Sequence, residues 1–547
     1  METGPTLLLH GAPIYVRMGV PPVEALAIRD GRVVAAGSLV EVERAAGEHR
    51  ETRLLDGGAV LPAFIDAHQH AYLVAADPNT DVLYRKATDV AGLLAEIGGL
   101  IAAQGTDAQE GWLRFHGYEP MMLAEHRSPT AAELDAIAPD RPLHVLSRTF
   151  HESVVNTLGL ELLGIDRSPQ DPPGGRIVRD RRGNPTGVLL EAASFDAEAA
   201  SRPDEDVDGW RERLKAHGRL LLRHGIVRIG DAAVPQHAAG MLVSDLAEIG
   251  VEAHPLLVGA RIDEPAFVDG GTAKVLADGG EYCHLCLTSS QVRTLMRESL
   301  KANLGPDRSL ARAVGRRAGF PKREADGRWH TGIRYSAEGR LPALLAAAAE
   351  AGSGLAVHAI GNGSIEAVLA AAALPASHRP TALRIEHAMT VSPELARQIG
   401  HAGIPVVAQP GFLAAFGHEL TSVPLPDPLQ LMPYRTLLDA DVSITFSSDY
   451  PAADINPWAG IAAAVSRRDR FGKVIDPQQA VTLSEAVTAY TLEAARVLHL
   501  GDVGTLEEGM SADLVWWDRD PHGVGSSEWS TLTARQTWSA GRLVYEA

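Results

Sequence analysis

Eight short apolar runs, at 59–66, 226–231, 254–259, 273–277, 354–358, 382–386, 404–409 and 443–447, recur along the chain, and amphipathic Ala/Leu-rich segments separate them. "LPALLAAAAEAG" (341–352) and "SIEAVLAAAAL" (364–374) are two of those segments. A strand buried on both faces reads as an unbroken apolar run, and two parallel strands need a crossover long enough to hold a helix. Strand–helix alternation therefore predicts a parallel sheet. Eight such units predict an α/β chain closed into a (β/α)8 TIM-like barrel over 59–489.

Two strand-rich ends flank that middle. "ALAIRDGRVVAAGS" breaks at Asp30-Gly31, a hairpin signal, and "RQTWSAGRLVYEA" turns at "SAGR". Residues 1–58 and 490–547 are expected to pair into one composite β-sandwich. After strand 1, about 72–220 reads as an inserted subdomain, with its own apolar run "LHVLSR" and the Gly/Pro-rich "SPQDPPGGRIVRDRRGNPTG". A second excursion, about 278–340, follows strand 4 in the place of a lid over the barrel mouth.

Charge narrows the partners. A net charge of -19 lacks the basic footprint that nucleic acid requires and disfavours an anionic membrane surface. Two cysteines support no disulfide framework, and no apolar stretch approaches a membrane span in length. "METGPTLLLHGAPIYV" lacks the basic region of a signal peptide. The expectation is a soluble cytoplasmic protein acting on a small molecule, with a homodimer as the default assembly.

Chemistry gathers at the predicted strand ends. In "AVLPAFIDAHQHAYL" (59–73), His68 and His70 stand two apart, so on a strand they face one way, at the end where barrel active sites form. "AKVLADG" carries Lys274, "LAVHAIGNG" His358, "LRIEHAM" His387 and "ITFSSDYP" Asp449. Each has a plain alternative: surface or capping histidines, a satisfied core histidine, an aspartate capping a helix, a lysine paired with Asp278. A barrel, however, brings all six to one mouth, where they compose a ligand set for divalent cations. Lysine is the odd member, because its amine is protonated near neutral pH. Carboxylated by carbon dioxide it becomes a carbamate, an anionic oxygen pair able to bridge two metals, a conversion closed to arginine. Lys274 is one of only six lysines among 50 basic residues.

"LPAFIDAHQH", "AKVLADG", "VHAIGNG", "IEHA", "SSDYP" and "GTLEEGMSADLVWW", in that order, resemble the amidohydrolase superfamily of metal-dependent hydrolases. "FHESVVNTLGLELLGI", "PPGGRIVRDRRGNPTGVLLEAA" and "VSRRDR" resemble more narrowly the amidohydrolase family 3 subgroup that includes N-substituted formamide deformylases. The resemblance implies a first metal held by His68, His70 and Asp449, a second held by His358 and His387, and a carboxylated Lys274 bridging them. Two zinc ions suit that set best, with manganese or iron as alternatives. It also implies hydrolysis of a non-peptide C–N bond, in an amide, N-formyl or N-acyl group, by a metal-bridged hydroxide with Asp449 as general base and acid. Ala63, Asn362 and Ser447 depart from the glycine, aspartate and glycine usual in the family, and Asn362 offers no acidic group at its position.

A deaminase or a cyclic amide or carbamate hydrolase on the same barrel, or a non-catalytic hydantoinase-like scaffold, are the competing readings. Such deaminases usually carry a glutamate where Gly361 stands here. His151 and Glu191 lie in inserted segments that match the subgroup and are candidates to reach substrate. Tyr72, Trp329 and Tyr335 are candidates for an apolar pocket wall. Cys283 and Cys286, in "CHLC", fall in a loop near the pocket as reduced thiols, an accessory metal site or a redox site.

Overall fold

The computed structural model describes the chain apart from residues 1–4, 81, 85, 104–110, 166–169, 203–205, 306–307, 336–339 and 376–379 and the side chains of 316–318. Eight strands stand side by side in chain order: β1 (Phe64–Gln69), β2 (Ile226–Pro235), β3 (Glu252–Val258), β4 (Thr272–Leu276), β5 (Gly354–Ala359), β6 (Leu383–His387), β7 (Val406–Ala408) and β8 (Ile444–Phe446). Parallel ladders join every consecutive pair. β1, β2 and β5 are buried along their whole length, which is why they read as continuous apolar runs. Gly230 in β2 has no room for a side chain, since a Cβ there would stand 2.1 Å from the Ala67 carbonyl oxygen of β1.

The seam between β8 and β1 closes without a ladder among the described residues. The Ser448 N–H donates to Asp66 Oδ1 at 3.0 Å, and the Ser448 hydroxyl donates to Asp66 Oδ2 at 2.5 Å. The Asp449 N–H donates to the His68 carbonyl at 2.8 Å, and the His70 N–H to the Tyr450 carbonyl at 3.0 Å. The expected barrel is therefore present, with its last turn stitched by side chain and loop.

The run 59–66 is not one strand. Ala59–Pro62 pairs antiparallel with Leu514–Trp517 in the terminal sheet, and the chain enters the barrel only at Phe64. Both halves are fully buried, so no change of pattern marks the junction. The terminal sheet has eight strands drawn from 6–62 and 514–546, and Leu9, Leu26, Leu514 and Trp538 from its two halves share one core. Phe64, Trp458, Tyr490 and Trp517 lock this sheet to the barrel, with ring centroids 5.4 Å (Phe64–Trp458 and Trp458–Trp517) to 5.9 Å (Phe64–Tyr490) apart.

The insertion builds a five-stranded sheet from segments between Leu113 and Glu191 around its own core of Leu93, Phe115, Val145 and Val154. The helix Val207–Arg223, which the sequence reading placed within the insertion, packs Leu214, Leu221 and Leu222 into the barrel core instead. The excursion after β4 holds the helices Ser289–Ala302 and Arg308–Ala318 and a small sheet of Cys286–Leu287, Trp329–His330 and Lys322–Arg323. A Thr288–Gln291 capping box starts the first of those helices. No helix among the described residues is long and apolar enough to cross a membrane.

Candidate metal centre

His68, His70, Lys274, His358, His387 and Asp449 all line one cavity of about 790 Å³. The rings of His68 and His387 lie 5.1 Å apart, those of His358 and His387 4.4 Å, and those of His68 and His70 5.5 Å. Ligand atoms of His68, His387 and Asp449 fall within 4.8 Å of one another. His387 thus stands between His358, its nearer neighbour, and the pair His68 and Asp449. Asp449 Oδ1 is 2.9 Å from His70 Nε2 and 3.5 Å from His68 Nε2. The Asp449–His70 approach lacks hydrogen-bond alignment, so it juxtaposes two ligand atoms.

The backbone pays heed to this arrangement. His387, Ala388 and Asp449 have φ of 77°, 45° and 53°, a region costly for non-glycine residues by about 1–3 kcal/mol each and concentrated at functional sites. Three imidazoles are oriented through Nδ1, each facing an oxygen that can only accept. His68 Nδ1 donates to Glu386 Oε2 at 2.5 Å, His387 Nδ1 to Gln409 Oε1 at 2.7 Å, and His70 Nδ1 to the Ala232 carbonyl at 2.9 Å. The proton on Nδ1 leaves the Nε2 lone pair free, which is the state a metal-binding histidine needs. Arg384 Nε donates to Glu386 Oε1 at 2.6 Å and fixes that carboxylate in turn.

Burial acts in the same direction. It pushes the imidazole of His387 down to about 3, that of His358 well below its usual value, and that of His68 lower, so these rings are neutral at ordinary pH. Burial alone would raise the Asp449 carboxyl, but the surrounding imidazoles of His68, His70 and His387 hold it below the usual carboxylate range. Burial also pushes the Lys274 amine down to about 8. Lys274 Nζ and His358 Nε2 are buried without a hydrogen-bond partner. Unpaired buried polar atoms are costly, and a divalent cation with a carbamate on Lys274 would satisfy both. The residues present fit such a group.

The pairing of Lys274 with Asp278 is not formed. Asp278 instead accepts the N–H groups of His284, Ile360 and Gly361 at 2.9, 3.0 and 2.9 Å. His151 lines the cavity, its ring 5.3 Å from that of His358. Behind it, fully buried Glu191 lies 2.7 Å from His151 Nδ1 and accepts the Gly280 N–H at 3.0 Å and the Tyr335 hydroxyl at 3.3 Å. Cys283 and Trp329 line the cavity; burial raises the Cys283 thiol, so it is no reactive thiolate. Tyr72 does not line it. The chain turns into the helix Ala71–Ala76 directly after His70, which carries the Tyr72 ring into the core, 5.9 Å from Trp210. Tyr335 sits behind the wall, stacked on Phe195 at 6.4 Å.

Glu386 and Gln409 are the orienting groups that the sequence reading passed over. A signal for Glu386 existed: Arg384 and Glu386 stand two apart in an otherwise apolar strand, a spacing that suits a buried ion pair. Glu386→Gln is expected to weaken divalent-metal affinity about 10–100-fold, as loss of a partner behind a metal-bound histidine does. Titration of metal-depleted protein measures it, and an unchanged affinity would remove Glu386 from the centre.

Residues 55–545 match the sequence profile of the Amidohydrolase family. The chain is 28% identical over 535 residues to an N-substituted formamide deformylase of Arthrobacter pascens, covering 96% of this chain and 95% of that protein. It is 25% identical to the putative amidohydrolase YtcJ of Bacillus subtilis (strain 168), covering 98% and 99%. An uncharacterized metal-dependent hydrolase from Pyrococcus furiosus shares the fold, with a TM-score of 0.65 at 22% identity over 94% of this chain and 99% of that one. With the profile spanning the whole barrel and the C-terminal strands of the terminal sheet, the chain belongs to the amidohydrolase family.

Proposed function

We propose that this protein hydrolyses the C–N bond of an N-formyl or N-acyl amine with an apolar body, using divalent cations held by His68, His70, Lys274, His358, His387 and Asp449. One observation carries the reading: these six donors share a single cavity whose other walls are largely apolar, among them Leu295, Met296, Leu300, Phe320, Phe412 and Phe416. Its volume of about 790 Å³ suits a small molecule, for which sites run roughly 300–1,000 Å³.

A bound cation supplies a water of lowered pKa and polarises the substrate carbonyl. Asp449, ionised at neutral pH, takes the proton of the attacking water and returns it to the departing nitrogen. His151, oriented by Glu191, presents its ring to the substrate's polar end beside His358. The Lys274 amine, pushed down by burial, is readily deprotonated and so able to add to carbon dioxide. The apolar wall takes the rest of the substrate. Deamination is disfavoured on steric grounds: at Gly361 even a Cβ would stand 2.0 Å from the His284 carbonyl oxygen, so a glutamate shuttle has no place there.

The test is a panel of N-formyl amines, N-acyl amines and amino-heterocycles, assayed with zinc and bicarbonate on the wild-type chain and on Lys274→Ala. Turnover should appear on the formyl and acyl amines, rise with the apolar size of the amine, and collapse in Lys274→Ala. Activity confined to amino-heterocycles, or an unimpaired Lys274→Ala, would defeat the reading.

A further inference from the structure

The excursion after β4 holds a second group of metal-capable side chains, none of which lines the cavity described above. Cys286, Asp326 and His330 bring ligand atoms within 4.8 Å of one another. Cys286 Sγ is 3.8 Å from His330 Nε2, and His330 Nε2 is 2.9 Å from Asp326 Oδ2. Around one tetrahedral ion with bonds of about 2.0 Å to N and O and about 2.3 Å to S, such atoms stand about 3.3–3.6 Å apart. The Cys286–His330 and His330–Asp326 separations each lie within about half an ångström of that geometry.

The plain alternative is a hairpin in which His330 Nε2–H donates to Asp326. That tautomer leaves Nε2 unable to accept from the Cys286 thiol, and the opposite tautomer leaves Asp326 Oδ2 without the His330 proton, while Oδ1 keeps the Arg328 N–H at 2.9 Å. Only one of the two contacts is a hydrogen bond in any neutral state of the ring. A cation between them satisfies all three atoms.

The other face of His330 is prepared as well. Its Nδ1 lies 2.8 Å from His284 Nε2, with the rings stacked at 5.1 Å, and His284 Nδ1 lies 3.3 Å from the Ser364 hydroxyl. At that distance His284 Nε2 is placed to accept the Nδ1 proton that a metal-bound His330 must keep. Cys286 is anchored through its backbone: its N–H donates to Asn362 Oδ1 at 3.1 Å, and Asn362 Nδ2 donates to its carbonyl at 2.8 Å. An aspartate at 362 could accept but not donate, so this pairing accounts for the asparagine that departs from the family pattern.

We propose that Cys286, Asp326 and His330 bind a single divalent transition-metal ion, zinc by its match to mixed sulfur, nitrogen and oxygen donors, as a clasp. The Cys286 thiol loses its proton to solvent as the metal–sulfur bond forms. Asp326 is exposed, so water completes the coordination on that side. The clasp ties the strands of the small sheet and their turn to one another, and the Asn362 pairing with the Cys286 backbone joins that sheet to the helix Asn362–Ala372 that follows β5. Leu285 and Trp329, next in sequence to Cys286 and His330, line the cavity and would be held in place by it.

The test is cobalt loading of the full-length wild-type protein, Cys286→Ser, Cys283→Ser and Asp326→Asn. The readouts are metal content per chain and the near-ultraviolet thiolate-to-cobalt absorption. The six barrel ligands include no sulfur, so this band reports on the clasp whether or not the catalytic reading holds. Wild type and Cys283→Ser should show the band, and Cys286→Ser should lose it together with one ion per chain. Asp326→Asn, at an exposed position that leaves folding undisturbed, should weaken binding at this site by at least about tenfold, the lower end of what losing even an orienting partner costs. No band in wild type, a band that survives Cys286→Ser, or an Asp326→Asn affinity equal to wild type would overturn the proposal.

Discussion

Asp449→Asn is expected to fold, to keep its metal, and to turn over about 10²–10⁴ times more slowly, the usual contribution of a positioned proton carrier. At about 1.4 kcal/mol per decade the loss is about 3–5 kcal/mol of barrier. Asparagine is nearly isosteric and tolerates the left-handed backbone, so the φ of 53° at this position does not confound the result. It keeps an oxygen beside His70 Nε2 and gives up the negative charge together with the capacity to carry a proton. Turnover has to be compared at matched metal content. A rate equal to wild type would strip Asp449 of the role, and a rate restored by excess metal would show it to be a ligand alone.

Trp458→Ala should cost about 3–5 kcal/mol of stability, the range for deleting a large aromatic from a core that cannot collapse around the hole. Trp458 is fully buried and meets Phe64 and Trp517 edge to face at 5.4 Å each. Phe64 begins β1, Trp458 lies on the helix Pro457–Ser466, and Trp517 ends a strand of the terminal sheet. One ring therefore bridges two layers. The variant should unfold at lower denaturant, with barrel and terminal sheet lost in the same transition. A shift worth less than about 1 kcal/mol would mean that the rings merely adjoin.

Much of the site was legible because barrel geometry makes sequence position informative. His68, His358, His387 and Asp449 could be placed from strand ends, since each end of an apolar run maps to the same mouth. Lys274 stood out by rarity and by its strand. What stayed hidden depends on contacts that no local pattern encodes. Glu386 meets His68 across 318 residues of sequence, and only folding shows that its carboxylate faces that ring. Tyr72 was misplaced because the strand period was carried one residue too far, past the start of the helix Ala71–Ala76. Ala59–Pro62 was merged with β1 because a fully buried edge of the terminal sheet and a barrel strand look alike as residues. The apolar walls on Ser289–Ala302 and Phe412–Phe416 were likewise invisible, for their amphipathic faces could have covered any core.

The unladdered join between β8 and β1 sets when the barrel can close during synthesis. Asp66 and Ser448, whose bond closes it, are 382 residues apart. A nascent chain still short of residue 448 carries Asp66 but not its partner in this closure. Closure of the barrel thus waits on a segment made late in synthesis.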